Sequence, residues 1–169
     1  MELPALIRSR RTHKAYDGRP VDRETLDELF ELARWAPNHN LTNPWRFRVL
    51  GPAALERLKQ VAGPESAPKL DRAPTLVVAS ALQTGDPVAD EEDLAAVASA
   101  IYIVLLAAHD RGLGGYWRTP AVLREPAGRA ACGVPETELV LGLLHLGTAI
   151  GEKPAPDRAP LDTFRHYLD

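Results

Sequence analysis

Leu26, Leu29, Phe30 and Ala33 stand at the i, i+3, i+4 and i+7 positions of one helix face, and Asp22 ahead of them has the side chain of an N-cap. The spacing predicts an amphipathic helix over 23–35, stopped by Pro37. Leu3, Leu6 and Ile7 predict a shorter helix before it. Phe47, Val49 and Leu50 read as a short strand and 53–61 as a helix. The run TLVVASA at 75–81, bounded by Pro74 and Gly85, reads as a strand covered on both faces. From about 87 to 111 the chain predicts its longest helix, apolar on nearly every side from Leu94 onward, which has to be covered all round and so points to a second subunit. Gly112 stops it. LGGYW at 113–117 follows as a strand whose two glycines allow close backbone approach, and 139–151 supplies the last strand.

Helices alternating with strands, some apolar on both faces, predict a central sheet clad by helices, α/β or α+β. A length of 169 residues favours one domain, and 45% hydrophobic with 25% charged residues is ordinary for a globular chain. A net charge of −3 gives no footprint for nucleic acid or an anionic membrane. The N-terminus has no signal pattern, and the apolar region 94–108 is short for a membrane span and interrupted by Ser99, so the expected compartment is the cytoplasm. The single cysteine, Cys132, reads as a small buried apolar residue. The tail from 152 onward is proline-spaced and then aromatic, which fits an extended arm lying on a neighbour.

Candidate chemistry is sparse. Arg10 and Arg11 with the Thr12 hydroxyl offer the charge and fork geometry that suit a phosphate, although cations after a helix can also simply complement its dipole. No G-x-G-x-x-G, Walker or G-x-S-x-G pattern occurs. His13, His39, His109, His145 and His166 lack metal-ligand spacing, and His145 among leucines reads as a core histidine with its ring nitrogens satisfied. The acids of ADEEDL at 89–94 read as a helix start complementing the dipole. With no catalytic side-chain set, enzymatic chemistry would be borne by a cofactor.

The stretch ARWAPNHNLTNPWRF at 33–47 carries far more aromatic and hydrogen-bonding side chains than a connection needs. RSRRTHKAY, then APNHNLTNPWRF, GLGGYWR and LGTAIGEKP, in that order along the chain, resemble the nitroreductase-like family of FMN-dependent oxidoreductases. The resemblance implies an α+β fold with a central, mostly antiparallel sheet clad by helices. One domain over 1–169 would form an intertwined homodimer with an exchanged C-terminal arm of about 152–169. It implies FMN in two sites at the subunit interface, NAD(P)H as hydride donor, and a small conjugated acceptor such as a nitroaromatic or quinone. Arg10, Arg11 and Thr12 would hold the phosphate and pyrimidine edge. Trp35, His39 and Asn43 from the partner would cover ring and ribityl chain. The backbone at Trp117, Arg118 and Thr119 would run beside the flavin, the Thr119 N–H near N5. Thr12 replaces the family's usual serine, Lys14 a second arginine, Asn38 a serine, Asn43 a glutamine, and Pro120 a frequent glycine. Reductive dehalogenation or flavin modification on the same fold, and a non-enzymatic dimeric interaction module, are the competing readings.

Overall fold

A computed structural model describes residues 2–168, so Asp169, the last residue of the expected arm, lies outside them. Helices α1 (Leu3–Ser9), α2 (Arg23–Ala33), α3 (Pro52–Ala62), α4 (Pro87–Asp110) and α5 (Pro126–Ala131) surround strands β1 (Trp45–Val49), β2 (Thr75–Leu82), β3 (Gly114–Arg118) and β4 (Glu138–Gly147). The strands form one sheet of order β1-β2-β4-β3, and each neighbouring pair is antiparallel. The architecture is α+β.

Period-two alternation along β2 divides the core. Val77 and Ala79 join Leu144 and Leu146 against α2 and α4, where Leu26, Leu29, Val97, Ile101 and Val104 are buried. Leu76 and Val78 face the other way with Leu143, against Leu58 of α3 and Ala131 of α5. Covered on both sides, β2 is buried from Thr75 to Ala81, as its unbroken apolar run predicts. Cys132 is buried in the second layer, and burial pushes its thiol up to about 11.

Four expectations need correction. α2 ends at Ala33, and Trp35 lies beyond it, 78% exposed. β1 starts earlier than its apolar residues suggest, and β4 runs 138–147 rather than 139–151. α5 has no counterpart in the sequence reading: six residues with only Gly128 and Ala131 buried leave no periodic stripe. α4 is long and apolar enough to cross a membrane by composition, but it packs as the core helix of the first layer. The chain does not cover it all round, and Tyr102 on its outer side is 40% exposed.

Every described residue from Gly151 to Leu168 is exposed, and the only regular element among them is the turn at Leu161–Thr163.

Candidate functional site

α1 ends as the Arg10 amide donates to Leu6 O, and the chain then turns to run beside β3. Thr12 forms a parallel bridge with Gly115, and the His13 N–H donates to Gly115 O at 3.2 Å. Glycine makes that approach possible: a Cβ on Gly114 would sit 2.7 Å from Ala149 Cβ and 3.1 Å from His13 Cβ. Lys14 Nζ then lies 5.5 Å from the centre of the Tyr116 ring. The structure therefore brings Arg10, Arg11 and Thr12 alongside the strand that ends in Trp117 and Arg118, with Thr119 exposed just beyond.

At this place opens a cavity of about 430 Å³. Arg8, Arg10, Arg11 and Arg158 line it with Tyr102, Ile7, Ala155 and Pro156, and no carboxylate does. Main-chain carbonyls hold part of the cluster: Arg10 Nη1 donates to Arg11 O at 3.0 Å, and Arg11 Nη1 to Arg8 O at 2.6 Å and Arg10 O at 2.9 Å. Arg11 Nε donates to Pro154 O at 3.1 Å, tying the start of the arm to the cluster and bringing Arg158 in. Behind it, His109 Nε2 lies 2.8 Å from Ser9 Oγ. Burial, then Arg10 and Arg11, lower the His109 pKa; burial, then Lys153, His109 and Arg10, lower that of His13. Both imidazoles therefore stay neutral at pH 7 while the guanidiniums remain charged. Converging cations without a compensating acid repel one another, and an anion with several acceptor oxygens relieves them.

Trp117 and Arg118 play different parts. The Trp117 indole N–H donates to Leu141 O at 3.1 Å, and its ring occupies the space that a Cβ on Gly142 would need, at 2.3 Å from Nε1. Its side chain thus belongs to the sheet, leaving only its backbone for a ligand. Arg118 lines a smaller cavity of about 210 Å³ with Ser66, Pro120 and Glu125.

Trp35, His39 and Asn43 are not brought to this place. They lie on the connection into β1, and β1 and β3 are opposite edges of the sheet, separated by β2 and β4. Three interstrand spacings make roughly 14 Å. All three side chains are exposed. The loop turns tightly: Asn40, Leu41 and Asn43 have φ of 51, 52 and 49°. Asn38 Oδ1 accepts from the Asn43 N–H at 3.2 Å, and Asn43 Nδ2 donates to Leu41 O at 2.7 Å. A leucine held in the left-handed region costs about 1 kcal/mol, and such strain collects at functional sites.

His145 corrects its expectation. It is buried at 1% exposure, yet neither ring nitrogen has a hydrogen-bond partner in the structure. Burial, with Arg118 and Arg72 nearby, lowers its pKa to about 4, so the ring is neutral. It packs 5.5 Å from Tyr116, centre to centre. The acidic stretch is corrected too. Asp86 caps α4 and Asp90 accepts from the Thr84 and Gly85 amides, but Asp93 is buried and accepts from Thr42 Oγ1 at 2.5 Å.

Sequence reasoning missed Arg158 and Tyr102, whereas Arg8 opens the RSRRTHKAY stretch already singled out. Two signals were present: cations within the proline-spaced EKPAPDR, and a single polar-tipped ring on an otherwise apolar helix.

A profile described as the Nitroreductase family matches residues 7–148. YfhC of Bacillus subtilis strain 168, named provisionally as an NAD(P)H nitroreductase, is 27% identical over 174 residues, covering 94% of this chain and 86% of its own. A nitroreductase-like family protein from Bacillus cereus superposes with a TM-score of 0.90 at 22% identity, over 100% of this chain and 97% of that one. NfnB from Sphigopyxis sp. strain HMH, described as an FMN- and NADPH-dependent nitroreductase, superposes with a TM-score of 0.84 at 17% identity, over 100% of both chains.

Proposed function

Because the chain belongs to the nitroreductase family, we propose that it is an FMN-dependent NAD(P)H oxidoreductase that works as a homodimer and reduces a small conjugated acceptor, a nitroaromatic or a quinone. The observation that carries this reading is the cavity lined by four arginines and no acid where α1 runs into the segment that Thr12 bridges to β3. Its volume of about 430 Å³ and its forked cations suit a phosphate with part of a ribityl chain. FMN, when bound, supplies two-electron transfer between NAD(P)H and the acceptor.

The chain's own residues bind, orient and shield. Arg10, Arg11 and Arg158 would hold the phosphate, joined by the Thr12 hydroxyl, while Lys14 would address the pyrimidine edge from above Tyr116. The Trp117–Thr119 backbone would lie along the ring and present a fixed N–H where charge develops. Trp35, His39 and Asn43 lie on the wrong sheet edge to reach a flavin held by their own chain. The same loop of a second copy would cover the ring and exclude water. The exposed arm supports a dimer: Leu161, Phe164, Tyr167 and Leu168 are 52, 65, 83 and 93% exposed, apolar area that an exchanged arm buries.

The test is the visible absorption spectrum of purified protein with added FMN, followed by NADH or NADPH without oxygen. A bound-flavin spectrum that bleaches with the nicotinamide is expected. A colourless protein that leaves the spectrum of added FMN unchanged contradicts the reading and favours a dimeric interaction module.

A further inference from the structure

Asp93, in the second turn of α4, is the one carboxylate of that helix that is buried among the described residues, with 3% of its surface exposed. Burying a charge in such a place is costly unless a specific partner is gained. Its hydrogen-bond partner is not a cation but the Thr42 hydroxyl, which donates to Oδ1 at 2.5 Å across 51 positions of sequence. Thr42 stands between Leu41 and Asn43, both with positive φ, in the loop that carries His39 and Asn43. Within the loop the Asn43 amide and the Thr42 hydroxyl donate to Asn38 Oδ1 and the Asn43 side chain donates to Leu41 O, and Arg46 Nη1 donates to Asn43 O where the loop enters β1, but none of these bonds joins the loop to α4. The Asp93–Thr42 bond reaches out of the loop and fixes it to the core helix.

We infer that Asp93 is a positioning residue for the flavin site, holding the 38–43 loop at one height above the sheet through the Thr42 hydroxyl. The assignment rests on the proposal that this loop covers FMN in a second copy. A carboxylate does this better than an apolar side chain because a hydrogen bond to a charged acceptor is short and directional. The cost of the buried charge is borne by the fold, and the benefit appears at the ligand. A loop released from α4 would keep its internal turn but lose its fixed position, so His39 and Asn43 would have to be ordered again each time the flavin binds.

The test compares FMN affinity, read from flavin fluorescence quenching, with the melting temperature of the flavin-free protein in Asp93→Leu, Asp93→Asn, Thr42→Val and the Asp93→Leu/Thr42→Val double variant. Asp93→Leu is expected to weaken FMN binding roughly 10-fold or more, the loss of one hydrogen bond to a charged group. Its melting temperature should be unchanged or higher, because an apolar side chain replaces a buried charge. A residue that merely stabilised the fold would lower both together. Asp93→Asn keeps an oxygen acceptor for Thr42 and should bind FMN nearly as wild type does. Thr42→Val, on the exposed loop, should repeat the loss, and the double variant should be no weaker than Asp93→Leu alone. Should Asp93→Leu fail to fold, Thr42→Val carries the same comparison. Wild-type protein that takes up FMN while Asp93→Leu or Thr42→Val binds it equally well overturns this assignment alone. Wild-type protein that binds no FMN overturns the flavin reading and this assignment with it.

Discussion

Arg10→Ala is expected to weaken FMN binding by about 10- to 100-fold, since a hydrogen bond between charged groups contributes roughly 1.5–3 kcal/mol. Arg10 lies where α1 ends and lines the cavity, while the neighbouring Arg11 guanidinium is tied to the carbonyls of Arg8, Arg10 and Pro154. Arg158→Ala should produce a loss of similar size although it lies 148 positions further on, because the Arg11–Pro154 bond draws the arm to the same cavity. The flavin-free protein should melt at nearly the same temperature in both variants, since neither Arg10, half-buried, nor Arg158, exposed, is packed in the core, and such positions change stability by only about 0.5 kcal/mol. Arg10→Lys should fall between, keeping charge but losing the fork. Isothermal titration with FMN gives the affinities, and a thermal melt separates them from folding.

The largest effect on stability is expected far from the cavity. Arg48 of β1 makes a two-pronged pair with Glu138 of β4, Nη1 to Oε2 at 2.7 Å and Nη2 to Oε1 at 2.8 Å, and Ser80 Oγ of β2 donates to Oε2 at 2.6 Å. The Glu138 side chain is 4% exposed. Burial pushes its pKa up, but the bonds from Arg48 and Ser80 outweigh that and hold it below the usual carboxylate value. The pair therefore adds stability above the unfolded pKa of 4.5, and that stability is lost as pH falls through the lowered value. Arg48→Ala leaves the carboxylate buried without its cation and should cost about 3–5 kcal/mol at pH 7–8. In that variant the largest opposition to burial is gone, with only the Ser80 bond and the Arg46 charge left, so the Glu138 pKa rises and the deficit should shrink as pH falls toward 5 and the group takes a proton more readily. Urea unfolding of both proteins at pH 8 and pH 5 measures this narrowing.

What could be read from sequence follows from the range of the forces involved. Leu26, Leu29, Phe30 and Ala33 lie within two helix turns, and the run at 75–81 is continuous, so burial imprints a local period and α2 and β2 appear nearly as expected. Gly114 and Gly115 were likewise legible as places of close approach, with His13 and Ala149 filling the space beside the first. α5 could not be seen, because six residues with two buried positions carry no period. The site divides the same way. Arg10, Arg11 and Thr12 form a motif along the chain, whereas Arg158 enters the cavity only because the arm folds back, which no local pattern encodes. Asp93 was hidden among neighbours that do serve the helix start, and only its depth in the fold sets it apart. His145 looked like a residue whose ring would be satisfied by the core, but among leucines and beside Tyr116 it has no donor or acceptor to meet.

Each flavin site would be built from the arginine cluster of one chain and the 33–47 loop of another. Co-expressing two differently tagged chains, one Arg10→Ala and the other Trp35→Ala/His39→Ala, and purifying the mixed dimer through both tags tests it most directly. Each variant alone has both sites damaged. The mixed dimer pairs a natural Arg10 from one chain with a natural loop from the other in one site, and gathers both defects in the second. The mixed dimer is expected to bind one FMN per two chains with wild-type affinity. A mixed dimer that binds FMN no better than the two parent variants would place the whole site within one chain and contradict it.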